Sequence, residues 1–124
     1  MIARNSRDQK CLKVLAVNVH GIECVGRLDQ IQILLEKHQI SVAILTETET
    51  SHSVGQTTHI EGFQAFCPPP CVIGPYKKEV GVILLMSKEQ SSDSKPRPDL
   101  NGNDSVQTIW IELKKYNLII GGVY

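Results

Sequence analysis

Apolar positions along the chain come in two rhythms, and the change of rhythm divides it. "CLKVLAVNVH" (11–20) is rich in aliphatic and β-branched residues and stops at Gly21, which predicts a buried strand. In "GRLDQIQILLEKHQ" (26–39), Leu28, Ile31, Leu34, Leu35 and His38 fall three and four apart, the stripe of an amphipathic helix. "SVAILTET" (41–48) predicts a second strand. Strand, helix and strand in this order form a βαβ unit with both strands parallel in one sheet.

Beyond residue 58 the pattern becomes strand after strand. "HIEGFQAF" (59–66), "EVGVILLMS" (79–87), "SVQTIWIEL" (105–113) and "NLIIGGVY" (117–124) are all strand-like, and "KKYN" (114–117) has the length and polarity of a hairpin turn. The polar stretch 88–105, with two prolines, predicts an exposed loop. The expected class is α/β: one mixed sheet with a βαβ start followed by antiparallel strands. Residues 1–10 are expected to be a disordered N-terminal segment, and 11–124 one folded unit.

Composition narrows the function. With 124 residues and 41% hydrophobic content the chain suits a single globular domain. Thirteen basic and thirteen acidic residues cancel, so any binding of a polyanion is local and not a bulk field. No apolar run approaches the about 20 residues that span a bilayer, and "MIARNSRDQK" lacks the core of a secretory signal, so an intracellular protein with no membrane partner is expected. Cys11, Cys24, Cys67 and Cys71 lack paired zinc spacing, and the prolines of "CPPPC" hold that pair apart, so free thiols are expected.

The parallel pair identifies a candidate edge. Ligands of α/β sheets collect where parallel strands end, and Asn18 and Glu47 stand near the ends of the two predicted strands. An amide and a carboxylate brought together there suit a hard divalent ion. Each also has an ordinary reading: Glu47 and Glu49 as solvated loop, Asn18 as a turn former, His20 and His38 as surface residues.

"LKVLAVNVHGI", a helix, "ISVAILTET", "IEGFQAF", "GVILLMSKE" and "SVQTIWIEL…NLIIGGVY" follow one another as in the endonuclease/exonuclease/phosphatase superfamily, and the chain most resembles the endonuclease domains of non-LTR retrotransposons. The resemblance covers nearly all of residues 12–124 and rests on order and spacing. Ser41 stands where relatives often carry Asp. It implies a DNase I-like α/β sandwich, a Mg2+ (or Mn2+) cofactor, DNA as partner, and a nuclear location if the chain derives from a retrotransposon. By resemblance, Glu47 binds the catalytic metal, Asn18 supports the metal and phosphate site, and Tyr124 lies beside the scissile phosphate.

The superfamily completes its site with a later Asp and Asn and an Asp-His pair. None of these has a counterpart in this sequence, and His52 and His59 lie in the wrong half. The expectation is therefore the N-terminal half of a nuclease domain, truncated at Tyr124 and inactive alone. Such a half is expected to supply mostly one sheet, exposing an apolar face of Val82, Leu84, Ile109 and Ile111 that invites self-association. Two alternatives stay open: another phosphoesterase of the same superfamily, and a non-catalytic interaction module.

Overall fold

A computed structural model describes residues 11–51, 58–68, 71–73, 77–102 and 106–124. The expected disordered segment 1–10, His52, the centre of "CPPPC" and the side chain of Cys71 lie outside the described residues.

The βαβ start is present. Strand β1 (Val14–Asn18) leads through a loop to helix α1 (Arg27–Lys37) and then to β2 (Val42–Ser51), which pairs with β1 in parallel, Val14 opposite Val42 and Asn18 opposite Thr46. The helix begins after Gly26, whose φ of 79° suits glycine, and its stripe buries Ile31 and Leu35 against the sheet. Next come β3 (Phe63–Phe66), β4 (Cys71–Ile73) and β5 (Lys77–Ser87). Strand β3 starts later than the apolar pattern suggests because Glu61 and Gly62 make a turn, with Gly62 at φ 84°.

In the first sheet β5 lies between β2 and β3, antiparallel to both, and β4 also pairs with β5. The side chains of β5 alternate between two cores. Ile83 and Leu85 join Ile31, Leu35 and Leu45 beneath the helix, while Val82, Leu84 and Met86 face the opposite way.

What meets that second face corrects two expectations. The antiparallel strands divide between two sheets: β6 (Ser94–Pro96), β7 (Thr108–Leu113) and β8 (Leu118–Val123) form a separate three-stranded sheet in that order. Ile109, Ile111 and Leu113 of β7 pack on Val82 and Leu84 of β5, so the face expected to be open is core, with Val82, Leu84 and Ile111 all at 0% exposure. Within the predicted loop, helix α2 (Lys88–Ser91) and strand β6 form, Ser94 pairing with Leu113 and Pro96 with Ile111. As an edge strand, β6 tolerates a proline and needs no apolar face. The hairpin prediction holds, since a 3₁₀ turn at Lys114–Tyr116 and Asn117 at φ 51° connect β7 to β8.

Candidate functional site at the ends of the parallel strands

The parallel ladder does not stop at Asn18. Val19 N–H donates to the Thr46 carbonyl (3.0 Å), Gly21 N–H to the Glu47 carbonyl (2.7 Å) and Ile22 N–H to the Thr48 carbonyl (3.0 Å). The loop after β1 therefore runs on along β2. Val19 and Ile22 are buried, which anchors this loop while Asn18 and His20 remain exposed.

On its other side β2 loses register with β5. Thr46 pairs with Val82 and Thr50 with Val80, so Glu47, Thr48 and Glu49 stand opposite Gly81 alone. This bulge is tightly wound, with Glu47 at φ 54° and Glu49 at φ 49°; His20 (φ 49°) and Gly21 (φ 89°) take left-handed backbone beside it. A left-handed conformation costs a non-glycine residue about 1–2 kcal/mol. Three such residues at one edge are held there by their surroundings, the circumstance in which strained backbone marks functional sites. Part of the restraint is Thr48, fully buried, whose hydroxyl donates to the Val80 carbonyl (2.5 Å).

The bulge also shapes the other sheet. Gly81 N–H donates to Oε1 of Gln107 (2.6 Å), a buried side chain from the residue before β7. Gln107 and Tyr124 exchange backbone hydrogen bonds (3.2 and 2.9 Å), extending the β7–β8 ladder to the end of the chain. The Tyr124 ring then lies against Gly81, in space that a Cβ there would occupy. Tyr124 thus reaches the end of the sheet where β2 bulges, with about half of its surface exposed.

Asn18, Glu47 and Tyr124 accordingly gather around one edge, through adjoining parallel strands for the first two and through Gly81 for the third. Two direct contacts join the first pair by way of a residue to which sequence reasoning gave no role. Asn18 Oδ1 accepts from the His20 N–H (3.1 Å), and His20 Nδ1 lies 3.1 Å from Glu47 Oε2. Glu49 is exposed, and its Oε2 lies 3.6 Å from where a Gly21 Cβ would stand. His59 lies elsewhere, beside Glu61 at 3.7 Å, and His38 caps the exposed end of α1. Ser41, the departure from the superfamily pattern, immediately precedes β2 at the end opposite Glu47, its Oγ accepting from Lys13 N–H (3.4 Å).

The donor set fits a hard divalent cation in kind. Glu47 is a carboxylate one-third exposed and Asn18 offers an amide oxygen, while among the described residues no three His, Cys, Asp or Glu side chains converge. An ion here would keep much of its water, the habit of magnesium, which is commonly held by one or two carboxylates. A cleft of about 510 Å³ opens nearby between the β1–α1 loop and Thr58–His59, but none of Asn18, Glu47 and Tyr124 lines it. With Asn18 exposed, Glu47 one-third exposed and Tyr124 half exposed, the candidate site is an open edge.

Sequence reasoning missed His20, Gly81 and Gln107. The glycine within "EVGVILLMS" was a usable signal, since an isolated glycine in a strand often marks a bulge or a close approach. Gln107 had none, because its partner is a backbone N–H in another sheet.

No protein-family model matches the chain, and no curated protein matches it by sequence. Solved structures do. The endonuclease domain of TRAS1, a telomere-specific non-LTR retrotransposon, superposes with a TM-score of 0.60 at 13% identity, over 92% of this chain and 44% of that one. The AP endonuclease LMAP from Leishmania major superposes with a TM-score of 0.59 at 16% identity, over 90% of this chain and 39% of that one. This chain thus spans about two-fifths of the length of these structures, and across that span it has the DNase I-like fold of apurinic-endonuclease-type proteins.

Proposed function

We propose that this chain is the N-terminal half of a magnesium- or manganese-dependent DNA endonuclease domain of retrotransposon type, acting in the nucleus by phosphodiester hydrolysis. The observation that carries the reading is the strained edge itself. In a fold shared with two endonucleases, left-handed backbone at His20, Gly21, Glu47 and Glu49 presents a carboxylate beside Asn18. An open edge also suits a polymer, which must lie across a site and cannot enter a closed cavity.

On this reading each residue has a task. Glu47 and Asn18 offer oxygen ligands to the cation, which when bound would neutralise charge on the phosphodiester and stabilise the leaving oxygen. Tyr124 donates a hydrogen bond from its phenolic O–H to an anionic phosphate oxygen, a charge-assisted contact worth roughly 1.5–3 kcal/mol in ordinary surroundings. Gly81 and Gln107 set the position of Tyr124 from behind. Groups that orient the water belong, by resemblance, to residues with no counterpart among these 124.

The test combines cation binding with plasmid nicking. The 124-residue chain is expected to bind Mn2+ in a manner abolished by Glu47→Ala, and to leave supercoiled plasmid intact in magnesium. Cation binding indifferent to Glu47→Ala would overturn the metal assignment. Metal-dependent nicking by this chain that disappears in Glu47→Ala would overturn its inactivity alone.

A further inference from the structure

We propose that His20 is a positioning residue for the Glu47 carboxylate, a role that rests on the metal-site reading above. Its Nδ1 lies 3.1 Å from Glu47 Oε2, within reach for an N–H donor on that nitrogen. Both ends of this contact are fixed by their own backbones. The His20 N–H is held by Asn18 Oδ1 (3.1 Å), in left-handed backbone that histidine and asparagine tolerate better than most residues. The Glu47 carbonyl is held by Gly21 N–H (2.7 Å), so the imidazole and the carboxylate face each other across two restrained main chains.

Packing does not explain this arrangement. The His20 side chain is 74% exposed, and a polar contact so exposed contributes little to folding. Its effect is directional: tying Oε2 restrains the carboxylate plane, so that Oε1 is the oxygen left for a cation. Hydrogen bonds to metal-binding carboxylates act in this way, and their loss commonly weakens metal affinity by about 10–100-fold. The turn makes Asn18 a support for His20 as well as a candidate ligand.

Two measurements on the 124-residue chain decide the matter. The first is the His20 tautomer, read from long-range ¹H–¹⁵N spectra at roughly pH 8, where an ordinary imidazole is neutral. A proton on Nδ1 that moves to Nε2 in Glu47→Ala is the expected result, because the hydrogen bond selects the tautomer. The second is Mn2+ binding followed by electron paramagnetic resonance in wild type, His20→Gly, His20→Asn and Glu47→Ala. Glycine and asparagine both accept the left-handed backbone, so the fold is kept, and the asparagine amide nitrogen replaces Nδ1 as a donor.

Glu47-dependent binding is expected to weaken about tenfold in His20→Gly and to recover most of that loss in His20→Asn. An Nε2–H tautomer indifferent to Glu47→Ala, or His20→Gly binding Mn2+ as wild type does while Glu47→Ala does not, would overturn the positioning role. Equal Mn2+ binding by wild type and Glu47→Ala would instead overturn the metal site beneath it, and with it the purpose assigned to His20, whatever the tautomer shows.

Discussion

The ring of Tyr124 rests on Gly81, in the volume that any larger residue at position 81 would need. This contact joins the end of the second sheet to the one residue of β5 that faces the bulge carrying Glu47 and Glu49. Gly81→Ala places a methyl inside the ring, and inserting a methyl into a packed position costs about 1–3 kcal/mol. Urea unfolding should show that loss. In a Tyr124→Ala background the same substitution should cost much less, and an undiminished cost there would place its origin outside the ring contact.

Backbone strain at Glu47 gives a second prediction. Glu47→Ala and Glu47→Gly both remove the carboxylate, but only glycine relaxes at φ 54°. The glycine variant should therefore be more stable than the alanine variant by about 1 kcal/mol in urea or thermal unfolding. Equal stability, or a preference for alanine, would show that residue 47 is not held in left-handed backbone in solution.

A small part of the acid sensitivity should come from the Arg97–Asp99 pair that follows β6. Arg97 donates to both carboxylate oxygens of Asp99 (2.9 and 2.8 Å) and to Glu112 (2.9 Å). The guanidinium hydrogen bonds hold the Asp99 carboxyl below its ordinary value of 3.8. A depressed carboxyl stabilises the fold above that ordinary value and loses the contribution as pH falls through the lowered one. Melting temperatures followed downward from about pH 5 should therefore drop less in Asp99→Asn than in wild type. The difference is small, because the Asp99 side chain is 59% exposed.

Thiol reactivity should divide the cysteines. Cys11 and Cys24 are exposed free thiols, whereas burial pushes the Cys67 thiol up from 9.0 to about 11. Iodoacetamide near pH 8, followed by peptide mass analysis, should label Cys11 and Cys24 well before Cys67. The sign for stability is opposite to that of Asp99. Cys67 favours the fold fully below the unfolded value of 9.0, and that contribution is lost as pH rises through about 11. Cys67→Ser should flatten this alkaline decline.

Local pattern made the skeleton readable because each element buries its own stripe. The three- and four-residue spacing of Ile31 and Leu35 specifies a helix, and the aliphatic runs of β2 and β5 specify strands buried on both faces. Strand β1, expected to be buried, covers only the face of Leu15 and Val17 and leaves Val14 and Ala16 exposed. The parallel pairing of the first two strands follows from the intervening helix, and it brings Asn18 and Glu47 to one edge. The segment 88–102 was illegible for the converse reason: β6 is an edge strand whose stability comes from backbone pairing with β7, which leaves its side chains free of any apolar pattern.

By itself, then, the order of apolar and polar residues determined the class of fold, the parallel start and the edge at which a carboxylate and an amide meet. Tertiary structure alone decided that β7 and β8 cover the second face of β5, that three residues of β2 bulge against Gly81, and that Gln107 takes the hydrogen bond this bulge leaves open. These depend on contacts between residues far apart in the chain, where a backbone N–H in one sheet selects a side chain from another. The meeting of His20 with Glu47 is of the same kind, since it arises from two left-handed turns that become neighbours only when the strands bearing them pair.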